Sequence, residues 1–570
     1  MFVNRKLPGP LAWVVIASMT VFPDTIGLAQ TRGNEPPKRA VGEIAGGEAE
    51  AAPEAGKVAR AAHRHPGEAE TRVEEEAVVV RTNQKYNHDC FWAGPKGVNY
   101  GRLPDAQPIQ KPALYPDQFS TYFVAQFKMP ENAYLEITGE YPHERYFSFT
   151  VATQLPHHQL GNGDYLRDDQ INPDQGSFNP FRPPNPRDIE PRKYTVQIVP
   201  GERPENSPRN DNKIYAGAAG GHVHLAMRNY VNDRGYDGTG AAKVGEAKYG
   251  LPSVTLVMDG KRYSREADVC SLLHTTSKAE AKGFAPEPWL ESVAFSVDPI
   301  NAPAKPTPVW EVFWDTNYSI NGFFAPDPIT REALYPATGA GGFANNPDTH
   351  YLQSVFSLGF GSVIVIQGKM PTFPRTKDGE KLWPETAPQV RYWSACTGGA
   401  PPSGAGWDCV YDEEVQLDGD DNYLIVVSRR EDRPSNARGE CGVTWLSFGP
   451  GEDIPRDKGG YEGARPWVNF VYMRFMDPDD DWKNSPAKIP LPTMEDPYPQ
   501  EAYVMQEYFP ASHYETTVQF ESHGCPVPTY PPNQGEPGSG SLDRAALEDR
   551  PSRVAEGWNK RHRDLRRMLK

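Results

Sequence analysis

The sequence predicts an all-β chain: two tandem antiparallel β-sandwich (jelly-roll-like) domains related by internal duplication, with a disordered N-terminal spacer and a short C-terminal helix. Three observations lead there. Proline supplies 58 of 570 residues, about twice its usual share of roughly 5 %, and proline breaks helices and leaves central strands. Short segments alternate apolar and polar residues, as half-buried strands do. A set of motifs also occurs twice in the same order.

The alternation is clearest in Phe147-Ser-Phe-Thr-Val151 and Tyr194-Thr-Val-Gln-Ile198. Val363-Ile-Val-Ile366 is continuously apolar, which predicts a strand covered on both faces. Asp418-Gly-Asp-Asp-Asn422 has the chemistry of a turn between strands. Few helical stretches intervene, and many short strands with turn signals indicate sandwiches or barrels.

The duplication rests on five anchors. Tyr122, Phe127, Ile137, Gly139 and Pro142 match Tyr351, Phe356, Ile366, Gly368 and Pro371 at constant spacing. Arg145-Tyr-Phe-Ser148 matches Arg391-Tyr-Trp-Ser394. Tyr194 to Val199 matches Tyr423 to Ser428. Arg203-Pro-Glu-Asn206 matches Arg433-Pro-Ser-Asn436, and Met227-Arg228 matches Met473-Arg474. The polar stretch from Gln154 to Pro191 reads as a long loop of the first copy, and Thr372 to Gln389 as an extra loop of the second.

The flanks differ from this body. Arg5 and Lys6, the apolar run Leu11 to Phe22 and the small residues of Gly27-Leu-Ala29 form a secretory signal, residues 1–29, cleaved after Ala29. That apolar run is too short for a bilayer, which needs roughly 20 residues, and no other stretch is long enough. The chain is therefore expected to be exported, to the periplasm or beyond. Residues 30–80 lack aromatics and read as a flexible spacer. The two sandwiches are expected over 81–300 and 301–525. Residues 526–570 read as a Pro/Gly/Ser-rich linker and a polar helix ending in a basic run.

Six cysteines in an exported chain suggest three disulfides, with 15 possible pairings. The reading adopted is Cys396–Cys409, which closes a short excursion after a strand, with Cys90–Cys270 and Cys441–Cys525 taking the rest. No Cys-x-x-Cys pair exists, which excludes zinc-ribbon and thioredoxin readings. The formal net charge of −16 argues against non-specific nucleic-acid binding, which needs a basic surface. Oligomeric state has no signature in the sequence.

The motif order resembles that of bacterial exported proteins of unknown function with two tandem jelly-roll-like β-sandwich domains. The resemblance is carried by Tyr392-Trp-Ser394, Arg433 to Asn436, Val443-Thr-Trp-Leu446 and Met473-Arg474. In the first copy Tyr146-Phe-Ser148, Arg203 to Asn206 and Met227 to Tyr230 carry it. It covers roughly 115–300 and 345–480 and implies the fold. The family has no established catalytic residues, so no function comes with it.

One strand concentrates candidate chemistry. Alternation puts His222, His224, Ala226, Arg228 and Tyr230 on one face. The matching face of the second copy is Val468, Phe470, Tyr472, Arg474 and Met476, apolar apart from Arg474 and so expected to be buried. If the first-copy face also points inward, its histidines and arginine line a cavity for a polar small molecule or glycan, with Tyr230 and Arg474 contributing. A His-x-His pair also starts many transition-metal sites, with His157, His158, Asp164 or Asp174 as third ligands. A metal-assisted enzyme and a structural envelope protein are the alternatives to a binding protein. The acidic loops Asp164 to Gly176 and Asp477 to Asp481 carry oxygen donors of the kind calcium uses. No nucleophile elbow, zinc-protease, P-loop or dinucleotide motif occurs. The supply of 27 Tyr and 12 Trp suits sandwich cores and sugar stacking alike.

Overall fold

The computed structural model describes residues 90–96, 115–154, 160–217, 221–236, 250–275, 290, 294, 296–342, 346–377, 379–384, 386–399, 406–449 and 467–529. The segments expected to be a signal sequence, a spacer and a basic C-terminal helix lie outside them, as do His157 and His158. The described residues belong to one compact unit within Ala69–Lys570.

The first half contributes ten strands. They are β1 (Ala93–Lys96), β2 (Ser120–Lys128), β3 (Ala133–Glu140), β4 (Glu144–Gln154) and β5 (Leu160–Arg167), then β6 (Lys193–Val199), β7 (Lys213–Tyr215), β8 (His222–Asn232), β9 (Ser253–Met258) and β10 (Lys261–Tyr263). They form two sheets, ordered β1-β2-β8-β4-β5 and β10-β9-β3-β6-β7. The second half contributes β11 (Glu311–Val312), β12 (Thr349–Ser357), β13 (Val363–Lys369), β14 (Tyr392–Gly399) and β15 (Gly406–Tyr411). To these it adds β16 (Asn422–Ser428), β17 (Thr444–Ser447), β18 (Val468–Met476) and β19 (Ala511–Glu515). Their sheets run β11-β12-β18-β14-β15 and β17-β16-β13-β19.

The duplication is thus a duplication of topology. Adding ten to each label of the first pair of sheets gives the second, short only of a counterpart to β10. Registers repeat as well. Arg228 sits opposite Tyr122 and Ser148, and Arg474 opposite Tyr351 and Ser394. The one parallel pairing recurs, β6 with β7 and β16 with β17. Gly139 and Gly368 repeat for a steric reason. A Cβ at either would lie 2.7 Å or 2.6 Å from the hydroxyl of the facing Tyr194 or Tyr423, so each tyrosine ring needs a bare backbone beside it.

Burial follows the alternation. Phe123, Phe127, Leu135, Ile137, Phe147, Phe149, Val196, Val223, Leu225 and Leu256 fill the space between the first two sheets. Leu352, Phe356, Ile364, Ile366, Trp393, Ile425, Met473 and Phe475 do so in the second half. The outer residues of β13, Val363 and Val365, pack into a separate cluster with Leu424, Val443, Phe520 and Val527. That strand is covered on both faces, as its unbroken apolar run predicts.

All three expected disulfides form: Cys90–Cys270, Cys396–Cys409 and Cys441–Cys525. One expectation fails. The stretch read as a loop from Gln154 contains β5, an edge strand. Its sequence, Leu-Gly-Asn-Gly-Asp-Tyr-Leu-Arg, carries no β-branched residues, and its place is fixed by pairing with β4. Thr372 to Gln389 is free of strands over its described residues. Among the described residues no helix is long and apolar enough to cross a membrane.

Candidate functional site

The His222 strand does not face its own sandwich interior. Val223, Leu225 and Met227 do, and the predicted site residues form the outer face of the sheet. The reason lies in the side chains: three apolar residues fill the core with no polar group to satisfy, whereas two histidines and an arginine in their place would each need a partner. This outer face then divides into two environments.

Toward the end of β8, Arg228 and Tyr230 are buried. Tyr230 packs edge-on against Tyr146 at 5.6 Å and against Tyr392 of the second half at 5.3 Å, and its hydroxyl shares a 3.1 Å hydrogen bond with Tyr122. Arg228 donates to Thr150. Arg474 is sealed in the same region: its guanidinium lies 3.1 Å from Asp117 and donates to the Tyr115 carbonyl at 2.7 Å. Burial alone would expel that charge, and Asp117 holds it in place.

Around this tyrosine cluster the halves exchange charges reciprocally. Arg145, at the start of β4, donates two hydrogen bonds to Asp412 at 2.7 and 2.8 Å. Its counterpart Arg391, just before β14, donates two to Asp168 at 2.9 and 2.7 Å. Each aspartate also accepts from the backbone of its own half, Asp168 from Phe147 and Asp412 from Trp393. The copies therefore meet by matching surfaces, as the subunits of a two-fold dimer do. All four charged side chains are essentially without solvent contact.

Burial pushes the Asp168 carboxyl up to about 7, against the pull of Arg391, and the Asp412 carboxyl up to about 6, against that of Arg145. In the unfolded chain both titrate near 3.8. Between those values the folded protein holds more protons, so this contribution is fully present below the unfolded pKa and is lost as pH rises through about 6 to 7. Thermal melts should accordingly show wild type gaining more from a shift from about pH 8 to about pH 5 than an Asp168→Asn/Asp412→Asn variant does. Equal gains would show that neither carboxyl is raised.

At the other end of β8 the face is open. His222 is exposed and His224 half-buried. Opposite them in register on β2 stand Lys128 and Gln126. His274, at the end of the helix Glu266–Leu273, completes the wall in a left-handed backbone conformation, φ 51°. Together with Phe127 these residues line a cavity of about 300 Å³. His274 was not legible as a site residue: it lies at a helix terminus, remote in sequence from β8. Burial lowers the proton affinity of His224, and neighbouring His222 lowers it further. The Nδ1 of His224 is buried without a hydrogen-bond partner among the described residues.

In the second half the same positions are closed. Val468, Phe470 and Val355 stand where His222, His224 and Gln126 stand in the first. Tyr115 and Phe323 both pack on Phe470, at 4.9 and 5.9 Å, and every residue of β18 is buried.

Among the described residues, three metal-ligating side chains converge only at Cys90, Glu266 and Cys270 and at Asp117, Cys396 and Cys409. In both places the sulfurs are joined in disulfides. Several carboxylates of the loops suggested for calcium have protein partners. Asp164 pairs with Arg203 at 3.0 Å and Arg209 at 3.2 Å. Asp477 pairs with Arg167 and lies 3.8 Å from Arg391. Asp174 accepts from Thr195 at 3.1 Å.

No protein-family profile matches the chain, and no curated protein does. Among solved structures, an uncharacterised protein from Burkholderia cenocepacia aligns at 11 % identity with a TM-score of 0.35, covering 73 % of this chain and 88 % of its own. A protein from Vibrio parahaemolyticus aligns at 13 % identity with a TM-score of 0.29, covering 66 % of this chain and 88 % of its own.

Proposed function

We propose that the protein is an exported binding protein that takes a polar small molecule or glycan in the groove of His222, His224, His274, Gln126 and Lys128. The observation that supports this reading is the difference between the two halves. The face at the start of β8 recurs at the start of β18, where Val468 and Phe470 make it apolar and covered. In the first half it is polar and open, around a cavity of about 300 Å³, the lower end of the usual range for ligand sites of roughly 300–1,000 Å³. The second half then acts as a brace. Export accords with the leader-like N-terminus and with three disulfides, which persist in oxidising compartments.

Arg228, Tyr230 and Arg474 support the groove from the buried interface and do not line it. A thermal-shift screen of small acids, polyols and oligosaccharides tests the reading. Ligands that raise the melting temperature of wild type should lose the effect in a His222→Ala/His224→Ala variant that melts like wild type without ligand. Ligand shifts that survive in this variant would place binding elsewhere.

A further inference from the structure

We infer that the groove selects anionic ligands, carboxylate- or sulfate-bearing sugars or small acids, and takes up protons as it binds them; this rests on the binding role proposed above. In a chain of net charge −16, the groove is lined by Lys128 and three histidines, with no aspartate or glutamate among the described residues that line it. Such a local inversion of charge favours an anion over the cations that the rest of the surface attracts.

The histidines give the selection its pH dependence. Among the described residues, the titratable groups facing His224 are His222 on its own strand, Lys128 on β2 and His274 at the helix end. On the other side β4 presents Ala152 in register and Thr150 beyond it, neither of which titrates. Burial of His224 penalises its charged form, and repulsion from a charged His222 adds to the penalty. An anion between them removes the repulsion and favours the protonated imidazoles. The Nδ1 of His224 is buried without a hydrogen-bond partner among the described residues, which leaves Nε2 as the ring nitrogen for a ligand to meet. By reciprocity, a ligand that raises the histidine pKa values binds more tightly at low pH.

The experiment is a titration of the full-length mature protein with D-glucuronate and, separately, D-glucose, at about pH 5.5 and about pH 8, following histidine ring resonances by NMR. Glucuronate should bind about tenfold more tightly at the lower pH, as a histidine pKa shift of about one unit requires, and raise the pKa of His222 and His224. Lys128→Ala and His222→Gln, both at exposed positions, should weaken it without lowering the melting temperature. Glucose binding as well as glucuronate at both pH values would overturn the anion preference while leaving a ligand groove. Failure of both sugars to move the groove histidines would overturn the groove reading along with it.

Discussion

Replacing Cys90 and Cys270 together with alanine is expected to cost about 5 kcal/mol of stability. The bridge joins positions 180 residues apart, and the loop-entropy relation gives about 5 kcal/mol for a loop of that length. Local structure shows what the bridge holds. Phe91 and Trp92 follow Cys90 into the core, where Phe91 packs on Phe127 at 5.7 Å and the Trp92 indole donates to the Pro252 carbonyl at 3.0 Å. The backbone NH of Phe91 donates to Glu266 at 2.8 Å, on the same helix as Cys270. The N-terminal strap and the helix that ends at His274 thus share one covalent anchor. Chemical denaturation of the double variant measures the loss. A change below about 1 kcal/mol would mean that the unfolded chain is already held together by residual structure. The Cys396–Cys409 bridge spans 13 residues, and the same relation gives it about 3 kcal/mol.

At about pH 8, where Asp168 is ionised, Arg391→Met is expected to destabilise the protein by about 3–5 kcal/mol, because it leaves that carboxylate without its partner in a dry interface. Arg145→Met should cost a similar amount through Asp412, since the two pairs are built alike. Adding Asp168→Leu to Arg391→Met should recover part of the loss, as the unpaired charge goes. The recovery should be incomplete, because the Phe147 amide, 2.7 Å from Asp168, would then lose its acceptor. A double-mutant cycle reads the coupling. Purely additive losses would show that the pair does not join the halves as the geometry requires.

Much of this architecture is legible in the residues. The anchors Gly139 with Tyr194 and Gly368 with Tyr423 are duplicated because each ring must lie on a bare glycine, so their repetition marks a shared fold rather than shared composition. Arg145 and Arg391 belong to a repeated motif, and that repetition is a sign of their symmetric work. Their partners are not legible. Asp168 and Asp412 stand 223 and 267 positions away from the arginines they hold, and nothing in local pattern selects them among 75 acidic residues.

The direction of β8 was also beyond a period-two reading. Alternation groups His222 with His224 and Arg228 but leaves open which side of the sheet they occupy. Arg228 and Arg474 are buried because a second sandwich covers them, a tertiary event that composition does not record. β5 was hidden by its glycines and lack of β-branched residues. His274 reaches the groove only through the helix that the Cys90–Cys270 bridge anchors.

The most direct test of the account converts the open face of the first half into the closed face of the second. A Gln126→Val/His224→Phe variant installs the residues found at the equivalent positions of β12 and β18. Isothermal titration of this variant with the tightest ligand found for wild type should show no binding, with the melting temperature kept. Binding at wild-type affinity in the grafted protein would contradict the claim that this groove is where the two copies parted in function.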